Sequence, residues 1–421
     1  MTTRQRVLTG ITTSGTPHLG NYVGAIRPAI AASLREDVES FYFLADYHAL
    51  VKCQDPARVQ RSTMEIAATW LALGLDPERV FFYRQSDIPE IPELTWLLSC
   101  VAAKGLLNRA HAYKASVDAN LANDADADAG ISMGLFSYPV LMAADILIFN
   151  AHRVPVGRDQ VQHIEMARDF AQRFNHVYGT HFEGGQPPFV LPEAQVDEAV
   201  AVLPGLDGRK MSKSYDNTIP LWLEAPALRK ALLGIVTDSR APGESKDPAT
   251  SNVFALYHAF ASADETSAMR VAFADGIGWG DAKQQLFERI DAELAPARER
   301  YREWMNNRSR VEEVLQNGSA NARDRAGVFM KSLRAAVGLR SLDGPMTVEP
   351  ADHRSGPPVV GRVGLTIETF KTWREADGKF YFKLIENGDT VLLQGGPFAS
   401  AREASDRIAE VERERSEAVN R

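Results

Sequence analysis

An α/β fold built on a parallel sheet is predicted for the N-terminal half of this 421-residue chain, and three observations predict it. Short apolar runs that read as buried strands, at Val7-Leu8, Glu39 to Asp46, Val80 to Tyr83 and Val154 to Val156, alternate with stretches of helical periodicity. Gly, Ser, Thr and Asp gather where strands turn into helices, as open α/β sheets require at their ligand-binding edge. From Pro220 to Gly338 the texture becomes helical and charge-rich, and three alternating runs with a final helix then mark a small α+β module.

The first run leads into Thr9 to Gly24, a strand, a Gly/Ser/Thr turn and a helix N-terminus. Glycines there admit a nucleotide to the backbone, while free N–H groups and the helix dipole favour anions. His18 and Asn21 share a helical face and can meet the same phosphate. Tyr47-His48 closes the second strand, and a lone histidine there is usually structural. Asp55-Pro56 and Asp76-Pro77 each set a capping acid before a proline and predict helix starts. Met64, Ala67, Ala68 and Leu71 form a core stripe on the first of these helices.

Arg109 to Lys114 is basic, with Lys114 reading as a surface lysine, and Ser116 to Gly130 reads as a mobile acidic loop. Asp124, Asp126 and Asp128 imitate a calcium loop, but Ala129 replaces its glycine and Leu135 its bidentate glutamate, so that reading fails. Tyr138 to Ile148 is apolar apart from Asp145, whose burial requires a donor, either backbone amides or a ligand. Val154 to Gln160 is a second strand-to-helix junction, continuing through His163, Glu165 and Arg168. Helices are expected at Ala227 to Ile235, Ser251 to Ala261, Asp281 to Asn307 and Val311 to Val337, and spacing alone allows a bundle with no special function. Ser341 to Val360, with Pro345, Pro350, Pro357 and Pro358, reads as a linker. Leu365 to Phe370, Lys379 to Ile385 and Thr390 to Gln394 then alternate as strands around Asn387-Gly388, and a helix runs from Ser400 to about Ser416.

Composition narrows the classes. Hydrophobic content of 45% and charged content of 24% are ordinary for a globular protein. No run reaches a membrane span of ~18 apolar residues and no apolar segment follows the polar N-terminus, so a cytoplasmic location is expected. Only Cys53 and Cys100 are present, far apart, which argues against disulfide, zinc or iron–sulfur frameworks. A formal charge of -8 excludes a globally basic nucleic-acid binder without excluding local phosphate contacts.

The chain is organised around Arg209-Lys210-Met211-Ser212-Lys213-Ser214. Two lysines among Gly205, Gly208 and two serines make a mobile cationic clamp for a polyphosphate. This stretch and His18-Leu19-Gly20-Asn21 resemble the KMSKS and HIGH motifs of class I aminoacyl-tRNA synthetases. The first matches without change. The second carries Leu19 for Ile and Asn21 for the last His, changes familiar in the tryptophanyl and tyrosyl branch. The resemblance runs from about Val7 to Gly338 and is closest to the tryptophanyl side.

That resemblance implies a Rossmann-like catalytic domain over 1–219 with a dimerisation insert near 95–145, a helical anticodon-binding domain over 220–340, a linker at 341–360 and a module over 361–421 similar to the small YegP-like modules. It implies ligation of tryptophan to tRNA(Trp) with Mg-ATP as substrate, a homodimer, and no protein-bound metal, zinc or iron–sulfur cluster. His18 and Asn21 would hold ATP phosphates, while Lys114, Lys210 and Lys213 would stabilise the departing pyrophosphate. The ATP set adds Thr12, Thr13, Ser14, Gly20, Gly157, Asp159, Met211, Ser212 and Ser214. The tryptophan set is Leu8, Gly10, His48, Tyr138, Met142, Asp145, Ile146, Val154, Val156 and Gln160, with Asp145 accepting from the indole. A tyrosyl enzyme is the nearest rival. It typically carries Gln where Met142 stands, so Met142, Val154 and Val156 favour the indole. A catalytically silent tRNA-binding paralogue is the second rival, and such proteins usually lose one of the two motifs present here.

Overall fold

The computed structural model describes residues 4–13, 15–196, 203–339, 368–375, 378–386 and 390–419. The chain forms two compact units, Met1–Ser341 and Leu342–Arg421.

In the larger unit β1 (Gln5–Thr12) leads through the short α1 (Leu19–Asn21) and a π-turn at Tyr22–Ile26 into α2 (Arg27–Ser33). Then come β2 (Val38–Ala45), α3 (Asp46–Ala49), α4 (Pro56–Ala72), β3 (Phe81–Arg84), α5 (Glu90–Ser99) and α6 (Lys104–Leu107). After α7 (His111–Ala122) and α8 (Met133–Leu147), β4 (Arg153–Pro155), α9 (Val161–Tyr178) and β5 (Glu193–Gln195) complete the sheet. Its five strands are all parallel, in the order β3-β2-β1-β4-β5. Strand order therefore reverses between β1 and β4, and a crevice opens beyond their carboxyl ends.

β2 shows why the sheet is covered on both faces. Tyr42 and Leu44 join one apolar layer with Trp70 of α4, whereas Phe41 and Phe43 join the other with Leu94 of α5, Val140 of α8 and Phe170 of α9. A strand whose alternate residues are all apolar must be buried twice. α10 (Ala225–Leu233), α11 (Asn252–Phe260), α12 (Ala263–Ala274) and α13 (Trp279–Asn306) follow, and Leu228, Val253 and Leu286 extend the first layer. α14 (Arg308–Ala336) adds Ala322, Ala326, Met330 and Leu333 to the second. It also lies backbone-to-backbone against β3, where a methyl on Gly318 would come 1.8 Å from the Phe82 carbonyl oxygen. Arg84 donates to both oxygens of Glu312, at 2.9 and 2.8 Å, and Ser319 donates to Asp87. No helix among the described residues is long and apolar enough to cross a membrane.

The smaller unit is an antiparallel sheet of β6 (Glu368–Arg374), β7 (Phe380–Glu386) and β8 (Thr390–Phe398) with α15 (Ala401–Val419). Among its described residues Phe382, Leu384, Ile385, Ala404 and Val411 are buried. The expected linker at 341–360 and the Asn387-Gly388 turn lie outside the described residues.

Two local expectations are corrected, and one helix comes in addition to those expected. Asp76-Pro77 opens a turn, with Asp76 accepting from the backbone N–H groups of Glu78 and Arg79, because β3 begins too soon for a helix. The expected acidic loop is helical as far as Ala122. Beyond it the chain folds back, Asn120 donating to the carbonyls of Ala127 and Ala129 and Tyr113 to Asp128. The helix α12 was not anticipated, although Ser262 and Glu265 form its capping box.

Candidate active site

The crevice at the carboxyl ends of β1 and β4 is a cleft of about 1060 Å³, lined among others by Gly10, Thr12, His18, Gly20, Asn21, Val156, Gly157, Asp159, Lys210, Met211, Ser212 and Lys213. The two motif stretches, far apart in sequence, thus face one space.

His18 caps α1 in extended conformation, and Asn21 Oδ1 accepts from its backbone N–H at 3.1 Å. The turn before it is pinned by Ser62, whose hydroxyl accepts from Gly15 N–H at 2.8 Å. It is also tied to the chain after the basic loop, with Leu19 N–H donating to the Ile219 carbonyl and Leu221 N–H to that of Pro17. Asn21 therefore spends its oxygen on the backbone and keeps its NH2 for the cleft, a refinement of the shared-face expectation.

Burial, helped by the nearby Lys213 charge, lowers the His18 pKa to about 4. A histidine so depressed is neutral at pH 7 and can donate only one N–H to an anion. Its Nδ1 is buried with no partner among the described residues, as are the hydroxyls of Thr9 and Thr13. Buried polar atoms are nearly always paired, so this cluster beside the cleft fits a polar ligand.

The loop Gly205 to Asp216 is built around Asn217. Its Oδ1 accepts from Ser212 N–H at 2.8 Å, and its Nδ2 donates to Asp207 at 2.7 Å and to the Lys210 carbonyl at 3.0 Å. A side chain on Gly205 would come 2.4 Å from the Asn217 amide, and Gly208 has φ +82°, so both positions require glycine. Met211 is the buried anchor of this loop, 3.6 Å from where a methyl on Gly20 would stand. Lys210 is exposed, bridged to Pro204 through the backbone. Lys213 as a whole is exposed, yet its ammonium end tucks in to 2.8 Å from the Cβ position of Gly15, and burial and then Arg58 lower its pKa. A glycine at 15 is what lets that ammonium approach the turn.

A second group of side chains gathers behind β2 and β3. Asp145 of α8 is 1% exposed, and its carboxylate accepts from His48 Nε2 at 2.9 Å and from Gln85 Nε2 at 2.8 and 2.9 Å. Burial raises its pKa and those two donors pull it back. His48 meets Tyr138 edge-on at 6.4 Å, and the Tyr138 hydroxyl contacts His163 Nε2 at 2.6 Å. Leu8, Ile146 and Val154 are buried in the surrounding apolar layer, and Met142 and Val156 pack against it. Gly10 abuts the Phe43 ring, 2.5 Å from a would-be Cβ.

Some expected members stand elsewhere. Lys114 is on the exposed side of α7 and is not among the cleft-lining residues. Gln160 turns onto its neighbour, donating to Asp159 at 2.8 Å. Ser14 lies outside the described residues, as does the Ser214 side chain. Gln85 was missed, because a glutamine after a strand looks like a surface residue.

Comparison with known proteins identifies the family. Residues 1–295 match the family model described as tRNA synthetases class I (W and Y). A tryptophan–tRNA ligase of Xanthomonas axonopodis is 62% identical over 97% of this chain and 91% of its own length. A ligase of the same name from Pseudomonas aeruginosa is 60% identical over 96% and 87%. The chain belongs to the class I tryptophanyl-tRNA synthetases. The synthetase of Campylobacter jejuni, solved with ADP and tryptophane, aligns with a TM-score of 0.71 at 41% identity, over 80% of this chain and all of that one. A tyrosyl-tRNA synthetase of Archaeoglobus fulgidus, 18% identical with a TM-score of 0.51, shares only the synthetase fold.

Proposed function

We propose that the cleft binds Mg-ATP beside tryptophan and that the chain, a tryptophan–tRNA ligase, activates the amino acid there before passing it to tRNA(Trp). In the first step a tryptophan carboxylate oxygen bonds to the α-phosphorus, the bond to the bridging oxygen breaks, and Mg-pyrophosphate leaves. In the second, the 2'-hydroxyl of the terminal adenosine of the tRNA attacks the acyl carbon and AMP departs.

The observation that carries this reading is the approach of the Lys213 ammonium to Gly15, beside His18 in the same cleft. Such chemistry rests on positioning and on donors placed where charge develops. Asn21 through its NH2 and His18 through one N–H hold phosphate oxygens. Lys210 and Lys213 neutralise the departing pyrophosphate. Lys114 joins them if α7 moves toward the cleft when ATP binds. Thr12, Gly20, Gly157, Asp159, Met211 and Ser212 shape the nucleotide half of the site.

Asp145 accepts from the indole N–H, and Met142, Val154 and Val156 provide an apolar slot that would strand the phenol oxygen of tyrosine without a second partner. The region 220–340 reads the anticodon, the insert near 95–145 pairs two copies, and the enzyme works in the cytoplasm. Tryptophan-dependent exchange of pyrophosphate into ATP is the direct test. Full activity with tryptophan and almost none with tyrosine is expected. Equal exchange with both would overturn the pocket assignment.

The unit after Ser341 is an appendage that takes no part in adenylate chemistry, because the larger unit carries both motif stretches within its own compact body. Truncation after Arg340 is expected to leave pyrophosphate exchange within about twofold of the full chain, since no group held to stabilise the transition state is removed. A folded truncated enzyme unable to form adenylate would reject this division. A change confined to the tRNA KM would assign the appendage to tRNA contact.

A further inference from the structure

Gln85 stands at the carboxyl end of β3 with 0% exposure, and its carboxamide can point only one way. Its Oε1 accepts from the backbone N–H of Tyr47 at 3.1 Å, and its Nε2 donates to Asp145 Oδ1 at 2.8 Å and Oδ2 at 2.9 Å. A flipped amide would set an oxygen against a carboxylate and an NH2 against an N–H, two repulsions in place of two favourable contacts. The turn is locked beside it as well: Ser86 donates through its backbone N–H, at 3.0 Å, and through its hydroxyl to Asp46. The ends of β2 and β3 are thereby tied together directly under Asp145.

Counting acceptor positions gives these bonds a use. A carboxylate offers about four lone-pair directions, two on each oxygen. Oδ2 takes a bond from His48 Nε2, at 2.9 Å, and Gln85 Nε2, 2.8 Å from Oδ1 and 2.9 Å from Oδ2, shares one N–H between the two oxygens. The His48 hydrogen must lie on Nε2, since an ionised carboxylate can only accept. One direction, on Oδ1, is left over.

We infer that Gln85 is a specificity-determining positioning residue, which fixes the Asp145 carboxylate so that a single Oδ1 lone pair remains for the indole N–H of tryptophan. This inference rests on the reading that Asp145 receives the indole. Gln85 touches no substrate. It keeps the carboxylate from rotating and from meeting an apolar ring edge with equal ease, so ligands are sorted by whether they carry a donor at that point.

The test compares tryptophan with benzothienyl-alanine, a near-isostere with sulfur in place of the indole N–H, in wild type, Gln85→Met and Asp145→Ala. In the wild type the kcat/KM ratio should favour tryptophan strongly. Gln85→Met should raise the tryptophan KM by roughly tenfold, the scale of one buried hydrogen bond, leave the ATP KM unchanged, and shrink the ratio toward one. A Gln85→Met enzyme that weakens both amino acids equally, with the ratio intact, would show packing alone and overturn the inference. If Asp145→Ala also leaves the ratio intact, the indole reading itself fails. If Asp145→Ala collapses the ratio and Gln85→Met does not, only the role of Gln85 fails.

Gln85→Glu guards against misfolding of the methionine variant. It keeps the shape but donates only while protonated, so its tryptophan KM should climb as pH rises between about 5 and 8, where a buried carboxyl beside another carboxylate titrates. A profile as flat as the wild type would count against Gln85.

Discussion

Lys213→Ala should lower the rate of adenylate formation by about two orders of magnitude, near 3 kcal/mol of barrier, on the scale of one preorganised donor removed from a developing charge. Its ammonium approaches the Gly15 turn beside His18, where a polyphosphate on the cleft floor would pass. A charge needed only as pyrophosphate departs affects kcat and kcat/KM together and leaves tryptophan binding nearly unchanged. Single-turnover formation of adenylate measures the first quantity, and equilibrium quenching by tryptophan the second. Equal loss of both would contradict the role. A secondary effect is also expected, because Lys213 helps depress the His18 pKa. In the variant His18 should titrate at higher pH, and an NMR titration of its imidazole reads this directly.

Asp145→Ala should raise the tryptophan KM by roughly a hundredfold while the ATP KM changes little. The carboxylate does more than receive a substrate proton. Its removal leaves the Nε2 donors of His48 and Gln85 facing a cavity, and each stranded buried donor costs about 1–3 kcal/mol. Part of the loss therefore falls on the stability of the free enzyme, visible as a lower Tm, and part on tryptophan. Met142→Gln separates the two. It leaves the carboxylate and its donors in place, sets an amide in the apolar slot, and should weaken tryptophan use with a smaller change in Tm. A tryptophan KM unmoved by both substitutions would displace the pocket from α8.

The parts of the molecule that were legible in sequence are those whose causes are local. β2 declares itself because every residue from Phe41 to Ala45 is apolar and buried. The helix after Asp55 declares itself because its side chain accepts from the N–H groups of Ala57 and Arg58. The basic loop is legible in part because Gly208, at φ +82°, answers a demand of the local backbone. What stayed hidden depends on distant partners. Gln85 acquires its role from Asp145, 60 residues on, and Ser319 meets Asp87 across 232. Composition misled in one place, since the stretch from Ser116 to Gly130 reads as an acidic loop while the helix that enters it ends only at Ala122.

The contact between Gly318 and Phe82 bears on how the protein is made. β3 is the rim of the sheet, bonded to β2 on one side only. A bare rim of this kind is a template on which another chain can add a strand. α14 shields it, with the Phe82 carbonyl turned toward the Gly318 backbone. Yet the ribosome delivers β3 long before it delivers α14, so throughout synthesis of the intervening 200-odd residues the rim stands unguarded. A chain ending before Arg308 would lack that cover over its rim strand. The glycine that permits such close approach thus serves a rim that is covered only once the last helix of the larger unit has been made.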